Sequence, residues 1–274
     1  MCWSTTVRIE LPGAQVVRLE SNRGYAGGCN AGASAAMAQG VDYLFFLNND
    51  TTIDADTLPM LLDIADQHPR SILAPKIVYA DRPEVVWSAG GRASGPLLRN
   101  DHVGEGDPVS QHNISQRVDW ASGCALFLSA DSFRRVGPMD EAYFLYLEDV
   151  DWCLRAARIG IDTWFVPGAI VQHEVSRTLG GRQWSDHVRY YAYRNRYRLA
   201  YRNGTRGTRP VVVADALWTL AKAGIRSTIS PTHRRDAHYQ VRTRAVLDFF
   251  RRRWGPYPSA TQRSPRVSNA LAAK

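Results

Sequence analysis

Hydrophobic runs of strand length alternate with helical patterns along the first half of the chain. Tyr43–Leu47 is a continuous apolar run, which is typical of a strand buried on both faces. Thr57–Gln67 carries apolar residues at helical spacing, and residues 14–19 and 71–78 have the pattern of further strands. This alternation predicts an α/β fold in which helices flank a mostly parallel sheet.

A glycine-rich segment lies between the first two predicted strands, at residues 21–32, and leads into a predicted helix of small residues at 29–39. Backbone amides at such a helix start can approach a phosphate. The spacing of Gly24, Gly27 and Gly28 differs from the dinucleotide-binding fingerprint. Tight packing of a helix against a strand explains the glycines equally well.

The middle of the chain predicts a more irregular region. Residues 82–118 are rich in Gly, Pro, Ser, His and charged side chains, and we expect hairpins and loops that cover a site. Residues 120–128 predict a strand. Residues 163–166 and 169–172 predict a strand that turns and ends at His173.

Asp50 follows the apolar run of Tyr43–Leu47, at the carboxyl end of a predicted strand. Ligands bind at such strand ends in open α/β sheets. A carboxylate here suits a hard cation and its phosphate ligand, and Asn48 and Asn49 add neutral oxygens. An Asx-type turn that closes the strand is the alternative. A single histidine is more often structural, but with Asp50 as a second ligand His173 becomes a candidate for binding Mg²⁺ or Mn²⁺.

Three carboxylates, Glu148, Asp149 and Asp151, stand at the start of a predicted helix that ends before Gly160. The helix dipole favours their ionised form, which a general base requires. Simple capping of the helix is an equally good explanation of this stretch alone.

The composition is that of a soluble globular protein, with 45% hydrophobic and 22% charged residues in 274. The four cysteines form no CxxC pair, which argues against a zinc ribbon or a disulfide framework and favours a reducing compartment. No apolar run approaches the roughly 20 residues that span a bilayer, and the N-terminus does not resemble a secretory signal. We therefore expect a cytoplasmic protein.

Charge is unevenly distributed. Residues 1–173 hold 13 basic and 21 acidic side chains, whereas residues 174–274 hold 21 and 5. Tyrosine and arginine form neighbouring helical stripes in the basic part, at Tyr193, Tyr197 and Tyr201 and at Arg194, Arg198 and Arg202. The basic part predicts an anionic partner, either a membrane surface or a phosphate-bearing substrate, with nucleic acid least favoured. A helix packed on the body with solvated arginines is the alternative.

Taken in order, these segments resemble the family 2 glycosyltransferases, especially the bacterial rhamnosyltransferase and galactofuranosyltransferase-like branch. The similar segments are residues 22–30, 47–51, 119–124, 144–155 and His173, with Tyr190, Tyr191, Arg194 and Asn195 as a further likeness. The resemblance covers residues 14–200. It implies a nucleotide-diphospho-sugar transferase fold of the A type.

The resemblance also implies roles for individual residues. Asp149 would be the catalytic base, and Asp50 with His173 would hold Mg²⁺ or Mn²⁺ on the donor diphosphate. Residues that would position acceptor or donor are Glu148, Asp151, Trp120 and Gly123. Residues that would bind the nucleotide sugar are Asn22, Gly24, Asn30, Asn48, Asn49 and Asp50.

The implied activity is metal-dependent, inverting transfer of a sugar, rhamnose-like or another hexose, from a nucleotide-diphosphate donor. The acceptor would be a hydroxyl of a glycan or of a lipid-linked sugar in cell-surface polysaccharide synthesis. The basic helices would contact the inner face of the cell membrane. A non-catalytic nucleotide-sugar-binding or scaffold relative is the alternative.

The sequence departs from the family in one respect, because the family's opening strands have no counterpart before residue 14. We therefore expect an N-terminally incomplete catalytic domain over residues 1–182. A basic amphipathic helical extension is expected over 183–254 and a disordered tail over 255–274.

Overall fold

A seven-stranded mixed sheet flanked by helices forms the centre of the protein in a computed structural model, which describes residues 14–174, 185–229 and 237–257. The strands are β1 Tyr43–Leu47, β2 Thr51–Ile53, β3 Ile72–Tyr79, β4 Arg82–Ser88, β5 Gly91–Ser94, β6 Arg99–His102, β7 Gln116–Val118, β8 Ala125–Ser129 and β9 Thr163–His173. The helices are α1 Gly24–Met37, α2 Thr57–Gln67, α3 Ala130–Val136, α4 Glu148–Arg158, α5 Asp186–Asn203, α6 Arg209–Ile229 and α7 Ala237–Phe250.

The strand order is β1-β8-β3-β9-β2, with β4 paired to β3 and β7 paired to β9. Strands β5 and β6 form a separate hairpin. Among the described strands only β3 and β9 pair in parallel, so the prediction of a mostly parallel sheet is wrong, although the α/β class is confirmed. Hydrophobic pattern identifies strands, but their direction depends on the route of the connecting segments.

Burial follows position in the sheet. Strand β3 is buried from Ile72 to Val78 because it lies at the centre, between β8 and β9. In β1, by contrast, only Leu44 is buried, because β1 lies at one end of the described strand order. The prediction that Tyr43–Leu47 is buried on both faces is therefore wrong, whereas its assignment as a strand is confirmed.

Two predicted boundaries shift for local reasons. The helix predicted from residue 29 begins at Gly24, where the Asn22 side-chain oxygen accepts a hydrogen bond from the Gly24 amide at 2.9 Å. The strand predicted at 120–128 begins only at Ala125, after a turn. Residues 14–19 are exposed and pair with no described strand, so that strand prediction is wrong.

The irregular region behaves as expected. Residues 82–118 contain the hairpin of β5 and β6, the strands β4 and β7, and a 3₁₀ turn at Val109–Gln111. The prediction of hairpins and loops over this stretch is confirmed. The segment is thereby folded against the sheet through β4 on one side and β7 on the other.

The tyrosine–arginine helix α5 packs against the body, as one alternative predicted, but two of the three arginines of its stripe are buried instead of solvated, and only Arg202 is exposed. Arg194 is 1% exposed, and Arg198 is 9% exposed and bonds Asp140 at 2.5 Å. Tyr197 is fully buried. Arg194, Arg198 and Tyr197 therefore contribute to the interior of the protein and present little surface to a partner. In the described ranges, no helix is both long and apolar enough to cross a membrane.

Candidate functional site

Asp50 and Asp149, 99 positions apart in the sequence, line the same cavity of about 260 Å³. The cavity lies where β1 and β9 end and where α4 begins. Its walls are Tyr25, Asn48, Asp50, Trp87, Asn100, His102, Trp120, Ser122, Gly123, Cys124, Leu145, Tyr146, Leu147, Glu148, Asp149, Val150 and His173. The fold therefore collects several predicted side chains at one place.

Strand pairing brings Asp50 and His173 together. Strand β2 runs antiparallel to β9 with Thr51 opposite His173, and the Glu174 amide donates to the Asp50 carbonyl oxygen at 2.9 Å. As a result, His173 Nε2 lies 3.4 Å from Asp50 Oδ1. Burial lowers the pKa of His173, although Asp50 opposes this shift. The neutral imidazole favoured by burial is the form that ligates metals.

The donor set at this point fits a divalent cation. Magnesium and manganese take one or two protein ligands and complete their shell with phosphate oxygens and water. Asp50 and His173 provide an oxygen and a nitrogen on one side of an open cavity. Within the described ranges, no group of three or more His, Cys, Asp or Glu side chains is arranged to hold a metal. A cation here would therefore depend on a diphosphate for its other ligands.

Asp149 is held by backbone amides on both carboxylate oxygens. Oδ2 accepts from the Gly123 amide at 2.8 Å, and Oδ1 accepts from the Val150 amide at 2.8 Å. Burial raises the pKa of Asp149, while these backbone bonds act in the opposite direction. A carboxyl with an elevated pKa, fixed at a cavity wall, is suited to accept a proton.

Glu148 lies beside Asp149 and is more deeply buried. The residue is 4% exposed, and its Oε2 atom has no hydrogen-bond partner among the described residues. Burial, aided by the neighbouring charge of Asp149, raises the pKa of Glu148 well above its usual range. The two carboxyls therefore differ, with Glu148 retaining its proton more readily than Asp149.

Asp151 does not line the cavity, contrary to the prediction that it positions substrate. Its buried carboxylate accepts hydrogen bonds from Tyr143 Oη at 3.0 Å, Arg155 Nε at 3.0 Å and Asn203 Nδ2 at 2.6 Å. Side chains two positions apart on an α-helix point in directions that differ by about 200° around its axis, so Asp151 and Asp149 lie on different faces. Through its hydrogen bonds Asp151 links α4 to Tyr143 and to Asn203.

The loop before α4 has an unusual backbone. Phe144, Tyr146 and Leu147 have φ values of 65°, 68° and 71°, in the left-handed region that non-glycine residues seldom adopt. Each such residue costs on the order of 1 kcal/mol or more and persists only when the surroundings impose it. Tyr146 and Leu147 line the cavity directly before Glu148.

Helix α5 imposes this conformation. Asn195 Nδ2 lies 2.8–2.9 Å from the carbonyl oxygens of Tyr143, Leu145 and Tyr146. Arg194 Nη2 donates to the Tyr143 carbonyl at 2.8 Å, and both side chains are buried. The resemblance drew attention to Arg194 and Asn195 without assigning them a role, and the structure places them behind the loop that carries the carboxyls.

The glycine-rich start of α1 supports the same loop from the other side. The Tyr25 amide donates to the Phe144 carbonyl at 2.7 Å. A Cβ atom on Gly24 would lie 2.0 Å from that oxygen, so only glycine fits there. This segment packs against protein backbone, which corresponds to the tight-packing alternative for the glycines.

Several predicted nucleotide-sugar contacts lie outside the cavity. Asn22, Gly24 and Asn30 do not line it, and Asn30 binds the Met139 backbone amide and carbonyl at 2.8 and 2.9 Å. Asn49 is exposed and also lies off the wall, although its neighbours Asn48 and Asp50 both line it. From α1, Tyr25 reaches the cavity instead, and its hydroxyl donates to the Gly123 carbonyl.

Trp120 and Gly123, which were predicted to position substrate, do line the cavity. Among the lining residues that were not predicted, Trp87, Asn100 and His102 come from the irregular region at 82–118. The sequence offered one usable signal, a tryptophan and two histidines in an otherwise polar stretch. Helical or strand periodicity could not show which of them faces the site.

A mixed α/β sheet flanked by helices, with this cavity at the strand ends, is the architecture of an A-type nucleotide-diphospho-sugar transferase. Residues 6–121 match the model of Glycosyl transferase family 2. The resemblance to the family 2 glycosyltransferases is confirmed over the part that this match covers, up to Ala121.

Three relatives agree with this assignment. The chain is 29% identical to the low-salt glycan biosynthesis hexosyltransferase Agl10 of Haloferax volcanii, over 64% of this chain and 56% of the relative. It is 27% identical to the dTDP-rhamnosyl transferase RfbF of Shigella flexneri, over 69% and 63%. It is 29% identical to the N-acetylglucosaminyl-diphospho-decaprenol L-rhamnosyltransferase of Mycobacterium tuberculosis, over 51% and 49%. The similar region thus spans roughly half to two thirds of each relative.

Proposed function

We propose that this protein is an inverting glycosyltransferase that moves a hexose, rhamnose-like in character, from a nucleotide diphosphate to a hydroxyl group. The observation that carries the proposal is the shared cavity. Two candidate ligands for a cation, Asp50 and His173, line this cavity together with Asp149, whose carboxyl group is held by two backbone amides. The relatives named for hexosyl and rhamnosyl transfer support the same reaction.

In this proposal Asp50 and His173 hold Mg²⁺ or Mn²⁺ against the donor diphosphate. When bound, the cation supplies charge neutralisation for the departing nucleoside diphosphate. Asn48 lines the same wall and offers a neutral oxygen or amide to the donor.

Asp149 removes the proton from the acceptor hydroxyl as that oxygen bonds to the anomeric carbon. The bond from the sugar to the diphosphate breaks on the opposite face, so a single displacement inverts the configuration and needs one base. The amides of Gly123 and Val150 keep the Asp149 carboxylate oriented during this step. Glu148 also lines the cavity, and its raised pKa favours the protonated form, which can donate a hydrogen bond to a substrate oxygen.

A lipid-linked or glycan acceptor in cell-surface polysaccharide synthesis is the partner that we propose. One relative is named for transfer onto N-acetylglucosaminyl-diphospho-decaprenol. Helix α6 offers a surface suited to a membrane, because Leu217, Trp218 and Ile225 are 54–58% exposed and Lys222 and Arg226 lie on the same helix. An apolar stripe with cationic neighbours is typical of helices that lie in the interface. We place this contact at the inner face of the cell membrane, because that leaflet carries anionic lipids that attract basic side chains.

The reaction is tested with Asp149→Asn and Asp50→Asn against a panel of nucleotide sugars with Mn²⁺. We expect Asp149→Asn to reduce transfer at least about 1,000-fold while donor affinity changes little, because only proton removal is lost. Asp50→Asn should abolish the Mn²⁺ dependence of donor binding, measured by calorimetry. Asp63→Asn, at an exposed carboxylate on α2, is the matched control and should behave as wild type.

Near-wild-type turnover by Asp149→Asn would rule out its role as the base. Donor binding by the wild-type protein without turnover on any glycan or lipid-linked acceptor would instead support a nucleotide-sugar-binding scaffold.

A further inference from the structure

His102 is a cavity residue that the proposed mechanism does not use. It is the last residue of β6, and its ring lies between two indoles, with centroids 4.4 Å from Trp87 and 4.8 Å from Trp120. Trp87 also contacts His173 edge-on, at 4.7 Å. The candidate cation site therefore borders an aromatic wall, and an imidazole stands in the middle of that wall.

The hydrogen bonds around Ser88 favour one tautomer of His102. Ser88 is 1% exposed, and its hydroxyl donates to the Gly90 carbonyl at 3.0 Å. A hydroxyl has one proton, so both contacts are satisfied together only when the Ser88 oxygen accepts from His102 Nδ1, at 2.8 Å. This arrangement places the imidazole proton on Nδ1 and leaves a lone pair on Nε2.

The ring remains neutral at physiological pH. Burial and the nearby His173 lower the pKa of His102 to about 4. Among the described residues, Nε2 has no hydrogen-bond partner, although the residue lines the cavity. Trp120 Nε1 is also buried without a partner in the described chain. Two groups of this aromatic wall are therefore available to a ligand: His102 Nε2 as a hydrogen-bond acceptor and Trp120 Nε1 as a donor.

We propose that Trp87, His102 and Trp120 form a subsite for a sugar ring, in which His102 Nε2 accepts a hydrogen bond from a ring hydroxyl. Indole faces pack against the C–H faces of a sugar, and a hydroxyl group can donate to the imidazole and accept from an indole N–H. The inference rests on the proposed function, since it names where that enzyme holds its sugar.

Other ligand groups fit this wall less well. A phosphate oxygen that carries no proton cannot donate to Nε2, and a neutral imidazole offers it no charge. A nucleobase lies beyond the ribose and two phosphates, whereas Trp87 touches both His102 and His173 beside the candidate diphosphate site. The group next to the diphosphate is the transferred sugar or the acceptor sugar.

His102→Phe tests the subsite, because it retains a ring of similar size and removes the acceptor. His68→Phe is the matched control, since His68 stacks on Trp164 at 4.6 Å and does not line the cavity. With Mn²⁺ present, calorimetry compares dTDP-rhamnose, UDP-N-acetylglucosamine and GDP-mannose with dTDP, UDP and GDP. Saturation-transfer NMR measures binding of free rhamnose and N-acetylglucosamine to the diphosphate-loaded protein.

If the subsite holds the donor sugar, His102→Phe loses about tenfold in affinity for the preferred sugar nucleotide and none for its diphosphate. If it holds the acceptor sugar, the free monosaccharide signal falls instead. Unchanged binding in both arms, or an equal loss for sugar nucleotide and diphosphate, overturns the proposal. These arms measure binding alone, so they remain informative if the protein has no transferase activity.

Imidazole nitrogen NMR of the wild-type protein provides a second readout that does not depend on folding of the variant. His102 Nε2 should have the shift of an unprotonated nitrogen between pH 5 and 8, and the preferred sugar should move that shift. A ring with a purely structural role would show no change on addition of sugar, and that result would contradict the subsite.

Discussion

Three acidic residues in four positions of the sequence have three different environments. Asp149 is bound by backbone amides at the cavity wall, Glu148 is buried with an unpartnered oxygen, and Asp151 is enclosed by three donors away from the cavity. Residue type is therefore a weak guide to role in this segment. Orientation and desolvation separate a candidate base from a neutral acid and from a structural carboxylate.

Glu148→Gln should stabilise the protein at neutral pH. In the folded protein the pKa of Glu148 is raised above its ordinary 4.5. The stability that its protonated side chain contributes is therefore fully present below pH 4.5 and is lost as the pH rises through the folded-state pKa. The glutamine carries no such penalty. We expect the variant to be more stable than wild type at pH 8 and almost equal to it at pH 4, by urea unfolding. Glu84→Gln, at an exposed site, is the control, and parallel stability curves for Glu148→Gln and wild type would contradict the assignment.

At the scale of elements, α5 acts on the site through the loop that it holds. Asn195→Ala removes the donor shared by three carbonyl oxygens and should release the left-handed backbone at Tyr146. We expect kcat to fall at least about tenfold with donor affinity within about threefold, because catalysis is sensitive to misplacement of about 1 Å. Arg189→Ala, at a surface ion pair of the same helix, is the control. Equal kcat in both variants would show that the loop holds its shape without Asn195.

The exposed stripe of α6 predicts a measurable affinity for membranes. Trp218→Glu and Leu217→Glu should each weaken binding to phosphatidylglycerol vesicles by about tenfold, because apolar burial is replaced by a charge that anionic lipids repel. Leu58→Glu, at a 41% exposed apolar position on α2, should leave vesicle binding unchanged. Sedimentation with vesicles provides the measurement, and identical losses in all three variants would argue against a specific surface.

At the scale of the whole molecule, the catalytic body and the basic helices share one core. Leu199 of α5 is fully buried in the cluster that contains Trp120 and Trp152. Tyr197 packs in a second cluster against Leu97 and Leu98, which belong to the irregular region at 82–118. The sequence-level boundary at residue 182 therefore divides a continuous set of contacts.

A chain limited to residues 1–182 should not fold cooperatively. It would expose the surface under α5 and lose the hydrogen bonds that hold the Tyr143–Tyr146 carbonyls. We expect a broad thermal transition and strong binding of a hydrophobic dye, whereas residues 1–257 should unfold sharply. A sharp transition for the shorter chain would show that the proposed domain boundary is correct.

Local patterns in the sequence determined most elements of this fold. The helix Thr57–Gln67 and the strand Tyr43–Leu47 were predicted with their observed bounds, and the acidic residues were placed at the start of α4. Asp50 was placed at the end of a strand. Such features depend on neighbours three or four positions away in a helix, or two away in a strand, so periodicity is sufficient to find them.

Only the tertiary structure decided strand direction, the face of α4 that reaches the cavity, the burial of Arg194 and the arrival of His102 at the site. Each of these depends on contacts between segments far apart in the sequence. The route of the chain sets such contacts, and a local pattern carries no information about that route. The sequence shows which side chains are able to do the chemistry, but only the folded molecule brings them into one cavity.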